Sequence, residues 1–229
     1  MNHSASPQKS LRSRTIRAGI WMIGGDGLGQ ALRLGSNLIM TRLLVPEMFG
    51  VMAIVFTLLT GLALFSDLGL RENIIQNKRG HDPDFLNTMW VIQLIRGVVL
   101  FSASQLIALS LYGAGAMGWL PENTVYAEPI LPLVIAVTSV SALLMGLQST
   151  KIATASRQLA QKHLVMMEVG SQLIGLTVMI SWALIDRSIW ALVAGGISGA
   201  LAMTVTSHIV LPGLPNRRHW DSTVFREAI

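Results

Sequence analysis

The sequence predicts an all-α membrane protein, a bundle of six transmembrane helices, and three observations carry that prediction. Apolar runs of about 20 residues, the length a helix needs to cross a bilayer, recur six times along the chain. Of the 229 residues only 13% are charged and 52% are hydrophobic, with a mean hydropathy of +0.55, whereas soluble domains are roughly 25% charged. The runs are too long for strands and do not alternate between apolar and polar residues.

The first run covers residues 18–41, behind a basic tail, residues 1–17, that carries Lys9, Arg12, Arg14 and Arg17. It is longer than the apolar segment of a cleaved signal peptide and contains Asp26 and Arg33, so it reads as a retained helix after a disordered tail. The second run, 49–70, follows Pro46. Asp82-Pro83-Asp84 precedes the third, 88–112, and Gly113, Gly115, Gly118 and Pro121 end it. Pro129 and Pro132 fall near the start of the fourth, 126–148, where proline is least costly to a helix. Asp186 and Arg187 make a tight turn between the fifth, 164–185, and the sixth, 189–211. Pro212, Gly213 and Pro215 then open a linker or tail, residues 212–229.

The basic residues orient the bundle. The tail, the segments after the second and fourth runs, and the final tail hold thirteen Lys/Arg, against Arg42 and Arg187 in the opposite loops. The positive-inside rule therefore places both termini in the cytoplasm, and an even number of spans agrees with it. The six tryptophans lie mostly near run ends, as an interfacial aromatic belt requires.

Several function classes are excluded. The pI near 10.2 comes from charges set between apolar runs, which is a topology signal and not a nucleic-acid footprint. There is no cysteine, no Gly-rich loop followed by Lys-Ser/Thr, and no metal-ligand spacing among the five histidines. No Ser/His/Asp constellation can be assembled, so neither an enzyme nor a cofactor is expected.

Small residues four apart, which let membrane helices approach closely, occur at Gly25/Gly29, Gly195/Gly199 and Gly196/Ala200. They read as helix-packing sites, with a sliding surface as the rival.

Polar groups at membrane depth point to function. Asp26, Gln30, Arg33 and Asn37 recur at i, i+4, i+7 and i+11, one narrow stripe on a helix of 100° per residue. Such a face belongs against a wet cavity or another protein surface. Gln93 and Arg96 add polar groups to the third run, with Arg96 too deep for snorkelling alone. These six residues are the expected substrate-binding lining, since a guanidinium stays charged and presents forked donors to phosphate. An Asp26–Arg96 pair locking two helices together is the rival. Asp26 and Glu168 are the candidates for ion coupling.

Residues 41–50, Thr-Arg-Leu-Leu-Val-Pro-Glu-Met-Phe-Gly, with Phe-Ser-Asp-Leu-Gly-Leu at 65–70 and Ile75-Gln76, resemble the polysaccharide transporter branch of the multidrug/oligosaccharidyl-lipid/polysaccharide exporter superfamily. The resemblance implies flipping of undecaprenyl-diphosphate-linked oligosaccharide across the bacterial inner membrane by alternating access, for exopolysaccharide or O-antigen synthesis. Full members have about twelve to fourteen spans in two similar lobes, and alternating access rocks one bundle against the other. Six spans match one N-terminal lobe and the start of the linker. The implied partners are membrane lipid, the lipid-linked oligosaccharide, and a second lobe or a further copy of the chain. A cation-coupled drug exporter of the same superfamily and a non-transporting assembly factor are the competing expectations.

Overall fold

A computed structural model of the protein describes residues 7–67, 69–121 and 124–228. Residues 1–6 of the basic tail, Leu68, Glu122, Asn123 and Ile229 lie outside them. The described residues form helices α1 (Pro7–Leu43), α2 (Pro46–Phe65), α3 (Leu70–Gln76), α4 (Pro83–Ala116), α5 (Leu131–Thr138), α6 (Val140–Leu147), α7 (Lys151–Arg157), α8 (Gln161–Ile185), α9 (Trp190–Ile209) and α10 (Ser222–Ala228), with one 3-10 turn at Val125–Ala127 and no strand.

Four of these, α2, α4, α8 and α9, are long and apolar enough to cross a membrane, and the bent pair formed by α5–α6 and α7 makes up to five. The chain is a multi-pass membrane protein on this ground. Helix α1, at 37 residues, has ample length. Its glycines and its Asp26, Gln30, Arg33 and Asn37 keep it below the apolarity of the others. It also starts at Pro7, so most of the basic tail continues the first run as helix. Proline at the first helical position costs no hydrogen bond, and Lys and Arg are good helix formers.

Local sequence explains several boundaries. Pro46 and Pro83 stand at the first positions of α2 and α4. Asp82 caps α4, its Oδ1 accepting the Asp84 amide at 3.1 Å. The run expected at 126–148 is broken at Ser139, between α5 and α6, and at Gln148, after which α7 turns away by 57°. Gln105 of α4 stitches the first break, its Nε2 donating to the Ala136 carbonyl at 3.0 Å and the Ser139 hydroxyl at 2.8 Å. A break inside a membrane survives only where a neighbour satisfies the freed backbone groups.

Close crossings at glycine build the bundle. An added Cβ on Gly175 of α8 would lie 2.8 Å from the Gly195 carbonyl of α9 and 3.2 Å from the Gly199 Cα. Gly97 of α4 and Gly146 of α6 face each other in the same way, at 3.0–3.1 Å. Gly25 of α1 packs on the Val165 side chain of α8. Three glycine contacts thus join α1 to α8, α8 to α9 and α4 to α6. Gly196, with nothing within 4 Å, takes no part.

One apolar cluster unites Val51, Met52 and Val55 of α2 with Ala108, Leu131, Val134, Ile135, Ile189 and Val193. A second lies at the other end of α4, where Phe85, Leu86, Met89 and Ile92 meet Leu70 and Ile74 of α3, Ala153 of α7 and Val224 of α10. The chain after α9 therefore returns to the bundle. Asn216 bonds Ser149 and Thr150, the Arg217 amide donates to Asn87 Oδ1 at 2.8 Å, and the Asp221 amide donates to Thr88 Oγ1 at 3.0 Å.

Candidate functional site

The polar residues expected to act together occupy two separate places. Asp26, Gln30, Arg33 and Asn37 are all exposed along α1. That helix packs through a different face, where Ala18, Gly29, Ser36 and Met40 are buried. At 100° per residue the two faces lie roughly 75° apart. Gln172 of α8 fixes the contact, its Nε2 donating to the Gly29 carbonyl at 2.9 Å. Glu168, one turn earlier on α8, is exposed.

Gln93 and Arg96 line a crevice of about 340 Å3 between α2, α4 and α6, with α3 and α7 contributing to its lining. No residue of α1 lines it. Both side chains are first of all helix caps. Arg96 Nη2 donates to the Ala63 carbonyl at 2.8 Å and Nε to Ser66 Oγ at 3.0 Å, closing the C-terminus of α2. A cation there meets the negative end of the helix dipole. Nη1 of Arg96 lies 3.8 Å from Asp67 Oδ1, an ion pair wider than a hydrogen bond. Arg96 thus meets Asp67, and not Asp26.

Gln93 serves α6 similarly. Its Nε2 reaches the carbonyls of Met145 at 3.0 Å, Gly146 at 3.2 Å and Gln148 at 3.0 Å. The Trp90 indole and the His208 ring approach the Leu147 carbonyl at 3.4 and 2.9 Å. The last carbonyls of a helix have no partner of their own, and here α4 and α9 supply them.

The floor beneath the crevice is held by arginine as well. Arg157 of α7 donates to the Ile74, Ile75 and Asn77 carbonyls at the end of α3. Arg71 of α3 donates to Ser156 Oγ at 3.0 Å. Just outside, the Arg79 guanidinium bonds Asp82 and holds its carboxyl below the usual carboxylate range. Hydrogen bonds from Thr223 lower the Asp221 carboxyl likewise. Among the described residues no group of His, Cys, Asp and Glu has metal-binding geometry.

Reasoning from sequence missed Gln105, Trp90, His208 and Arg157. Each satisfies backbone carbonyls of another segment, and no local pattern marks such a bond.

A family model described as polysaccharide biosynthesis protein matches residues 39–228. No curated protein and no solved structure matches the chain.

Proposed function

Because the chain belongs to this polysaccharide biosynthesis protein family, we propose that it takes part in flipping undecaprenyl-diphosphate-linked oligosaccharide across the bacterial inner membrane, as one lobe of a two-lobed machine. In this reading α1 is the sixth span, both termini are cytoplasmic, and the chain performs no catalysis of its own. The observation that carries the reading is the exposed stripe Asp26, Gln30, Arg33 and Asn37. Ionisable side chains within a span turn to a bundle interior or to water and not to lipid. The bundle leaves this stripe uncovered, so the facing wall comes from a second lobe or a second copy, and a hydrated cavity lies between. Arg33 is the group that would meet a diphosphate, by forked charge-assisted hydrogen bonds. Alternating access then rocks the two bundles about that site.

Asp26, on the same stripe, is the one observation favouring a cation-coupled drug exporter, and Arg33 beside it opposes a cationic cargo.

The test is reconstitution of the protein, with any second bundle that co-purifies, into vesicles loaded with labelled lipid-linked oligosaccharide. Arrival of label on the opposite leaflet is read with a membrane-impermeant reagent. Arg33→Gln is expected to lower the rate by about tenfold or more, the loss of one charge-assisted contact. A rate indifferent to Arg33→Gln, or transport of a cationic dye that Asp26→Asn abolishes, overturns the reading.

A further inference from the structure

We infer that the crevice between α2, α4 and α6 holds the head group of a zwitterionic aminophospholipid from the leaflet on the α3/α7 side. The lining changes character along its length. Leu59, Leu62 and Leu100 form a largely apolar part, where the Ser104 and Ser141 hydroxyls are turned back on backbone carbonyls one turn earlier, whereas Asp67, Arg71, Glu72 and Arg96 bring charge to the part nearest α3. That is the lining of an amphiphile site. The volume of about 340 Å3 is at the low end for ligand pockets, so it takes a head group and not a whole lipid. Leu64 and Phe65, next to the lining residue Ala63, are 70% and 95% exposed. They offer an apolar surface on which acyl chains continue outside the crevice.

The charges select the class of lipid. Two guanidinium groups and two carboxylates share the lining. A purely anionic head group would meet Asp67 and Glu72, and a purely cationic one would meet Arg71 and Arg96. A phosphate and a primary ammonium on one molecule answer both. Arg96 and Asp67 stand 3.8 Å apart, too far for a hydrogen bond to each other. Arg96 commits Nη2 and Nε to the end of α2, and Asp67 Oδ1 accepts the Gly69 amide at 3.1 Å, so Nη1 is the donor for a phosphate oxygen and Oδ2 the acceptor for an ammonium. The inference stands apart from the proposed flipping role, since it concerns the interior of one bundle and needs no second lobe.

Native mass spectrometry of the full chain, released from bilayer discs of phosphatidylethanolamine and phosphatidylglycerol, tests it. One phosphatidylethanolamine is expected to stay bound, with phosphatidylcholine, which has no N–H to donate, retained less from matched discs. Arg71→Gln with Glu72→Gln spares the Arg96 cap of α2, and retention in this variant is expected to fall about tenfold as charge-assisted contacts are lost. Excess inorganic phosphate leaves the lipid in place. Displacement by phosphate, equal retention of phosphatidylglycerol, retention indifferent to both substitutions, or absence of any retained lipid overturns the assignment.

Discussion

Arg96 of α4 reaches across to α2 and donates to the Ala63 carbonyl at 2.8 Å. A charged donor at a half-buried helix end is a structural element. Arg96→Gln is expected to lower stability by about 1.5–3 kcal/mol, the range for a hydrogen bond to a charged group. Arg33→Gln on the exposed stripe is expected to leave stability unchanged while lowering transport. Thermal unfolding of both variants in one detergent measures the contrast, and equal melting temperatures contradict the capping role.

Gly175 and Gly196 give a paired test of the crossings. A methyl at Gly175 would press on the backbone of α9 at 2.8 Å, while one at Gly196 meets nothing within 4 Å. Gly175→Ala is expected to destabilise by about 1–3 kcal/mol, the usual cost of overpacking. Gly196→Ala is expected to be neutral or slightly stabilising through helix propensity. Denaturation in mixed micelles reads both.

The returning C-terminal segment is expected to detach when its anchor is made polar. Val224 is fully buried among Leu70, Phe85 and Ala153. Val224→Asp places an unpaired carboxylate in that cluster, which is unfavourable by several kcal/mol. Limited proteolysis should then cut within residues 212–221 much faster than in the unaltered protein. An unchanged digestion rate contradicts the packing.

Acid should loosen the start of α4. The Asp82 carboxyl is held low by Arg79, so its contribution is complete above the unfolded value near 3.8 and is lost as pH falls through the lowered value. Hydrogen exchange at the first turn of α4 is expected to be constant from neutral pH to about 5, after correction for intrinsic rates. It should rise below about 4, and Asp82→Asn should remove that dependence. A rise already present near neutrality would contradict it.

Much of the helical layout was legible because apolar length and punctuation are local properties. The boundaries of α8 and α9 fall within three residues of the expected ones, since Asp186, Arg187 and Pro212 stand beside them. The stripe on α1 was legible from periodicity alone. Partners were not. Gly195 and Gly199 showed that a neighbour comes close, yet nothing local pointed to Gly175, and the Gly97–Gly146 contact has a small-residue spacing only on α6, at Ala142/Gly146, with none on α4. Gln93 and Arg96 were marked by the cost of polarity in a membrane. Whether that polarity faces a ligand or the bare end of a neighbouring helix depends on where α2 and α6 stop, which is a property of the whole bundle. The tail after α9 reads as solvated because its anchors are single residues, Asn216 and Val224, spread along a polar stretch.

The attachment of α1 to α8 also sets an order of events at the ribosome. The Gln172–Gly29 bond joins residues 143 positions apart, so at roughly 5–20 residues per second α1 waits on the order of ten seconds for its partner to be made. Through that interval a helix carrying Asp26 and Arg33 has neither its packing face nor its polar face covered. The α1–α8 contact is therefore among the last to form as the chain is made, and a chain ending before Gln172 would never make it.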